Sequence, residues 1–372
     1  MSPPRYRPDD YPPRSFDWPA LLPVIGRAQR AIAGYEGVLQ GVPNPNVLLS
    51  PLSVQEAVLS SRIEGTESSL SEVLALAANG EGQGESSQTR MDAREVFNYR
   101  IALTVATELM ESLPLSQRVI RRAHEVLMRG TRGRTADPGD YRRIQNWIGP
   151  PGCNEETATL VTCPVPRIPD AMGAWERYLH EETPDALVQL GVAHVWFEAI
   201  HPFLDGNGRL GRLMVPLFLM AKGLLQRPNF YLSEYLERFR EDYYRNLLAA
   251  QGSGDWGAWL RFFLTAVEKQ AIANTGKARQ ILALYAARKD WVAKTTRSQH
   301  AVRSLAFLFD QPVFRTSDFA ARPGVPRATA LRILRVLRDR QMLRELVPAR
   351  GRHAAVLAFG ELIEIAESPS SY

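Results

Sequence analysis

The chain has 372 residues, of which 45% are hydrophobic and 23% charged, enough for two or three domains around a real core. Its two cysteines, Cys153 and Cys163, exclude a disulfide framework and have no Cys or His partner at zinc spacing. No apolar run nears the ~18 residues of a membrane span, and the start MSPPRYRPDDYPP lacks a signal-peptide core, so a cytoplasmic protein without membrane contact is expected. The formal charge of +5 is unevenly placed: Lys277 to Tyr372 carry 17 Lys+Arg against 8 Asp+Glu, leaving 28 against 32 upstream, so the basic part is the C-terminal quarter.

In chain order, residues 1 to about 20 are Pro-rich and read as an extended arm, and Leu21 to Leu39 have helical periodicity. Ser53 with Glu56 forms an S-x-x-E capping box and Gly65 is a stop signal, which together predict a helix over Val54 to Ile63. A second box, Ser69 with Glu72, opens a helix ending at Asn79-Gly80, after which GEGQGESSQ reads as a surface loop. Met91 to Met110 and Ser116 to Met128 are spaced as helices. Between about Gly133 and Pro169 the texture changes to Gly, Pro and β-branched residues, with NWIG and ATLVTCPV as short runs, and a β-hairpin flap is expected. Helices are expected at Asp170 to Glu181, Asp185 to Ile200, Leu210 to Lys222 and Leu232 to Ala250, then a helical connector from Asp255 to Ala287. The end of the chain, TSDFAARPGVPRATALRILRVLRDRQMLREL followed by ELVPARGRHAAVLAF, has the order of a winged helix: short helix, turn, Arg-rich helix, then two strand-like runs around a turn.

The stretch HPFLDGNGRLGR, His201 to Arg212, contains G-x-G-x-x-G, but a dinucleotide loop must follow a strand of a βαβ unit. Here DALVQLGVAHVWFEAI precedes it with helical spacing, so the loop joins two helices. Gly206 and Gly208 allow close backbone approach at a helix N-terminus, which is an anion site by its free N–H groups and dipole. Arg209 and Arg212 share a face and can reach phosphate oxygens. Asp205 is a candidate Mg²⁺ ligand beside such phosphates, and His201 a candidate base near neutral pH. These are the parts for transfer of a phosphorus group.

The residues His201, Phe203, Asp205, Gly206, Asn207, Gly208, Arg209 and Arg212 fit H-x-F-x-[D/E]-G-N-G-R-x-x-R, and in this the chain resembles the Fic proteins, which move AMP from ATP to a protein hydroxyl. The resemblance implies a mainly α fold: a Fic helical core with a small β-hairpin flap, here followed by a winged-helix domain. It implies ATP with Mg²⁺, Asp205 as metal ligand, His201 as base, and Gly206, Asn207, Gly208, Arg209 and Arg212 on the nucleotide. DPGDYRRIQNWIGPPG is similar to the approach to the family's flap and places Ile148 and Gly149 over the site; EDYYRNLLAAQ suggests Tyr243 and Tyr244 beside the nucleotide, with Gln251 where some relatives have Asn. The resemblance covers roughly residues 20 to 260.

One residue breaks a local rule: Glu64 ends its helix, where a carboxylate opposes the dipole by about 0.3 to 1 kcal/mol. SSRIEG, Ser60 to Gly65, is similar to the family's inhibitory motif [S/T]-x-x-x-E-[G/N], which implies that Glu64 pairs with Arg212 and silences the enzyme. His124, His180 and His194 are expected to pack; so are Trp196, Phe197 and Phe203, the last as anchor of the loop. The expected organisation is an N-terminal region with the inhibitory helix over 1–95, a Fic core over 96–270 and a winged helix over 275–372. The expected activity is autoinhibited AMP transfer to Ser, Thr or Tyr of a protein target, which could include the protein itself. The same site could run in reverse as a de-AMPylase, or the fold could serve a nucleotide-sensing DNA-binding regulator. Expected partners are ATP, DNA or a protein at the winged helix, and a second copy in a homodimer.

Overall fold

The first long helix, α1 (Trp18–Gln40), starts where the Asp17 carboxylate accepts from Ala20 N (3.1 Å), and it turns Leu21, Val24, Ala28, Ile32 and Tyr35 inward. The computed structural model describes residues 3–79, 87–131, 137–150, 152–322, 324–350 and 354–372. Residues 80–86 of the loop expected at 80–88 and the first residues of the expected flap, 133–136, lie outside them, while the last two residues of that loop, 87 and 88, are already helical. Helices α2 (Pro45–Leu48), α3 (Ser50–Ile63), α4 (Leu70–Asn79), α5 (Ser87–Met110) and α6 (Gln117–Leu127) follow. Helix α5 runs through residue 95 without a break.

The two capping boxes have different fates. At α4 the box forms: Ser69 N donates to Glu72 (2.8 Å) and Glu72 N donates to Ser69 Oγ (3.2 Å). At α3 it does not, because the helix has already begun at Ser50, with Pro51 in its first turn, and position 53 is interior. Glu56 is instead buried and accepts from Ser233 N (2.9 Å), Ser233 Oγ (2.6 Å) and Tyr99 OH (3.3 Å).

The flap is an antiparallel pair, β1 (Trp147–Ile148) and β2 (Leu160–Val161), with Ile148 opposite Leu160. The Pro-rich arm does not hang free: Tyr6 N donates to Val161 O and Val161 N to Pro4 O, both 2.9 Å, and Tyr6, Tyr11 and Trp196 stack in series. Helix α7 (Ile168–His180) leads into α8 (Ala186–Ile200), which is buried from Leu187 onward. Neighbours reach its backbone directly: Trp175 Nε1 donates to Ala193 O and Trp259 Nε1 to Gly191 O, both 2.9 Å. Helix α9 (Asn207–Ala221) comes next. The segment expected as one helix over Leu232 to Ala250 is two, α10 (Ser233–Arg238) and α11 (Arg240–Gly252), since Phe239 leaves helical geometry and packs on the Tyr235 and Tyr372 rings. Helix α12 (Trp256–Thr296) is 41 residues long, well beyond the expected connector; its first half packs along α1 and α8.

After α12 come α13 (Ala301–Asp310), β3 (Val313–Arg315), α14 (Thr316–Ala320), α15 (Arg327–Asp339), β4 (Arg344–Val347), β5 (Val356–Ala358) and α16 (Gly360–Glu367). The strands form an antiparallel sheet in the order β3-β5-β4, and helix–strand–helix–helix–strand–strand is the element order of a winged helix. This C-terminal unit is seated on the N-terminal helices. Ser50 Oγ donates to Asp310 O (3.0 Å), Ser71 N and Oγ donate to Glu367 (3.1 and 3.0 Å), and α13 and α16 lie against α3.

Candidate active site

Helix α8 stops because Pro202 follows His201, and a residue before proline is driven out of the α region. His201 takes a left-handed conformation (φ 50°), which costs a non-glycine residue of order 1–3 kcal/mol and is the kind of strain kept at functional positions. Its N–H still donates to Phe197 O (2.9 Å). The loop that follows is tied from within. Asn207 accepts from Phe203 N at Oδ1 (2.9 Å) and donates from Nδ2 to Phe203 O (2.8 Å), so its side chain shapes the loop, and only its backbone is left for a ligand. Gly206 sits at φ 80°, and a Cβ there would come within 2.8 Å of Met128 Sδ. Phe203 anchors the loop as expected, buried and stacked on His124 at 3.8 Å.

His124 does more than pack. Gly139 N donates to its Nδ1 (2.9 Å), which leaves Nε2–H to donate to Asp205 O (3.0 Å). Burial holds His124 down at about 4, so it stays neutral in this role. Arg142, which the sequence reading did not single out, is 4% exposed and braces the same turn. It donates to His201 O (2.8 Å), Ile144 O (3.0 Å), Thr162 Oγ1 (3.0 Å) and Cys163 O, so one guanidinium joins the His201 turn to the root of the flap.

The first turn of α9 has N–H groups that no carbonyl of the helix can pair, and they face the cavity mouth with the positive dipole end. Arg212, 1% exposed, is engaged through Nε and Nη2: Nε donates to Ser60 Oγ (2.9 Å), Nη2 to Ser60 O (2.8 Å) and Nη2 to Glu64 (2.6 Å). The structure thus brings Glu64 and Ser60, about 150 positions upstream, onto the arginine. Burial works to raise the Glu64 carboxyl, but Arg212 outweighs it and the carboxyl is held below its ordinary value. A side chain at Gly208 would overlap the Glu64 carboxylate, so glycine is what lets that group lie across the loop. Arg209 is also buried and paired, with Glu95 at 2.9 Å.

Asp205 keeps a half-exposed carboxylate, 3.5 Å from Arg209. Among the described residues no group of three or more His, Cys, Asp or Glu is placed to hold a metal. Asp205 alone still suits Mg²⁺, which binds through one or two carboxylates with water and substrate phosphates as its other ligands.

A cavity of about 430 Å³ opens above the loop, within the range of small-molecule pockets. It is lined by His201, Gly208, Arg212 and Glu64, by Ile148 and Gly149 of the flap, and by Tyr243, Tyr244 and Gln251 of α11, so residues read from four distant stretches share one chamber. Tyr243 is buried with its OH 2.9 Å from His194 Nε2, while Tyr244 is half-exposed 5.2 Å from it. Burial lowers His201 to about 4, leaving a neutral imidazole. Glu198 also lines the chamber, and nothing in the local sequence pattern singled it out.

The family model for the Fic/DOC family N-terminal region matches residues 22–108 and that for the Fic/DOC family matches 114–219, together just over half of the chain. The chain belongs to the Fic/DOC family. A probable protein adenylyltransferase of Aquifex aeolicus is 36% identical over 77 residues, 21% of this chain and 23% of its own. The protein adenylyltransferase Fic of Drosophila grimshawi is 26% identical over 183 residues, 48% of this chain and 32% of its own. This Fic chain therefore spans a third or less of those two curated relatives. A crystal structure of a Fic family protein from Desulfovibrio desulfuricans G20 is 21% identical, with a TM-score of 0.59, covering 94% of this chain and 98% of that one. Fic-1 of C. elegans (residues 134–508) is 21% identical, with a TM-score of 0.52 over 72% of this chain and 75% of that one. Both share the fold.

Proposed function

We propose that this protein is a protein adenylyltransferase that transfers AMP from ATP to a Ser, Thr or Tyr hydroxyl and is held inactive by Glu64. The observation that carries the reading is the shared chamber, in which a neutral His201, the α9 N-terminus, Arg212 and the flap strand all face one space. The ATP phosphates lie along the first turn of α9, and Arg212 receives the terminal phosphate once Glu64 has left it. Asp205 would hold Mg²⁺, which supplies charge neutralisation for those phosphates. Strand β1 aligns the target backbone by strand addition. His201 takes the hydroxyl proton as the oxygen bonds to the α-phosphorus and the bond to pyrophosphate breaks. With Glu64 on Arg212 the γ-phosphate loses its place, and the α-phosphate is turned from in-line attack.

The Drosophila relative is named for this activity, and the shared Fic region supports the same chemistry here. The test is incubation with ATP radiolabelled at the α- or the γ-phosphate. Protein labelled only from the α-position supports the reading, and His201→Ala should then lose about 10²-fold or more. Label from the γ-position would mean phosphorylation and would overturn it. For the C-terminal unit we propose a polyanion partner, duplex DNA, because Arg327, Arg335 and Arg340 of α15 and its end are exposed on a basic unit. Duplex binding that does not weaken with salt would refute this.

A further inference from the structure

We infer that Glu198 is the positioning partner of His201: from the last turn of α8 its carboxyl group fixes the imidazole at Nδ1 and leaves Nε2 to take the target proton. The inference rests on the transfer reading only for its catalytic consequence. Glu198 is 4% exposed, yet it lines the catalytic chamber, and its Oε1 has no hydrogen-bond partner. A buried carboxyl group left unpaired in this way is costly unless it has a task. Its Oε2 lies 3.9 Å from His201 Nδ1, and its own backbone oxygen lies 3.3 Å from the same nitrogen. Nδ1 therefore faces Glu198, and Nε2 is the nitrogen on the opposite edge of the ring.

Gly211 is an independent sign that room has been made for this group. A side chain at 211 would overlap Glu198 Oε1, so α9 passes over the carboxyl only because it carries glycine there. The separation of 3.9 Å is longer than a hydrogen bond, and the electrostatics of the braked state account for it. Glu198 faces His201 and His194 on α8, Arg212 on α9, Glu64 at the end of α3 and Tyr243 on α11. Burial raises Glu198 to about 8; Arg212 opposes this and Glu64 adds to it. Two carboxyl groups beside one arginine do not both ionise readily, and Glu64 at 2.6 Å has the arginine. Departure of Glu64 removes a negative charge from beside Glu198 and favours its carboxylate form. That form draws in Nδ1–H and steadies the imidazolium that appears when His201 accepts the hydroxyl proton. No proton passes to Glu198 in this step.

The test compares the full-length Glu64→Gly protein with Glu64→Gly/Glu198→Gln and Glu64→Gly/Glu198→Asp. The His201 imidazole is titrated by NMR on histidine-labelled protein, its signal identified by its loss in His201→Ala, and transfer from α-labelled ATP is followed against pH. Gln should lower the transfer plateau about tenfold or more and move both the His201 midpoint and the acid limb of transfer down by about half a pH unit or more, since a neutral amide no longer favours the imidazolium. Asp, which keeps the charge, should hold the midpoint closer to that of Glu64→Gly. An unmoved midpoint and limb in a folded Gln variant overturn the pairing and leave Glu198 a packing residue. If Glu64→Gly itself transfers no label, the transfer reading fails, while the NMR midpoint still decides whether Glu198 and His201 are paired.

Discussion

Replacing Glu64 by glycine should release the enzyme, and the structure sets the size of the effect. The carboxylate makes one charged hydrogen bond to Arg212, at 2.6 Å, with its side chain 39% exposed, while Ser60 supplies the arginine's other two contacts. A hydrogen bond to a charged group is worth about 1.5–3 kcal/mol, and the opposing dipole at the end of α3 subtracts about 0.3–1. At 1.4 kcal/mol per factor of ten, the remaining ~0.5–2.7 kcal/mol favours the braked state by roughly two- to ninetyfold, and Glu64→Gly should raise the self-labelling rate by that amount. Glu64→Gln, which keeps the shape and loses the charge, should fall between. The assay is initial-rate labelling from α-labelled ATP, with ATP affinity measured in parallel on His201→Ala proteins so that no turnover intervenes. Affinity should change far less than rate. A folded Glu64→Gly protein that labels at the parent rate would refute the brake, and a gain in affinity as large as the gain in rate would show that Glu64 excludes ATP instead of misaligning it.

Arg142→Ala strands several buried carbonyls and should cost about 3 kcal/mol or more, visible as a lowered denaturant midpoint, and Arg142→Lys should recover less than half of it because an ammonium cannot span the same acceptors. Gly208→Ala puts a methyl group where the Glu64 carboxylate lies, yet it should gain no activity; ATP affinity should drop about tenfold or more even in the Glu64→Gly protein, and unchanged affinity would remove the phosphates from this loop. Glu198 has a folded value of about 8 against 4.5 for an ordinary Glu, so its carboxyl destabilises the fold progressively as pH rises from 4.5 to 8, by up to roughly 5 kcal/mol. Glu198→Gln should accordingly be more stable than the parent at alkaline pH, with the gap closing toward acid in denaturant titrations. A gap that does not depend on pH would mean the carboxyl is already ionised in the folded protein.

What was legible in the sequence is what is encoded within a few residues. His201 to Arg212 carry loop, strain and charge in one run, and Glu64 announced itself by standing at the wrong end of a helix. The two S-x-x-E boxes show the limit: identical spacing caps α4 through Ser69 and Glu72, but at Ser53 the helix is already under way and Glu56 answers to Ser233, 177 positions later. Arg142 and Glu198 were missed for the same reason, since what defines them is which distant carbonyls, glycine or imidazole the fold lays beside them. The break at Phe239 was hidden because apolar periodicity continues across it, and the ring that stabilises the break, Tyr372, is the last residue of the chain.

Helix α3 is fastened at both ends by different parts of the molecule: Ser50 to Asp310 of the C-terminal unit, and Ser60, with Glu64 just past the helix end, to Arg212 of α9. About 20 Å of straight helix separates Ser50 from Ile63, so it acts as a strut rather than a flap. Withdrawing Glu64 by moving the strut would also disturb the seat of α13 and α16, and the two events then share one free energy. By linkage, any ligand of the C-terminal unit that prefers the displaced strut must favour the aligned nucleotide pose that needs Arg212 free, and that pose must favour the ligand by the same factor. Occupancy at one end of the chain would thus be readable as the fraction of bound nucleotide that is aligned, and so as a transfer rate, at the other.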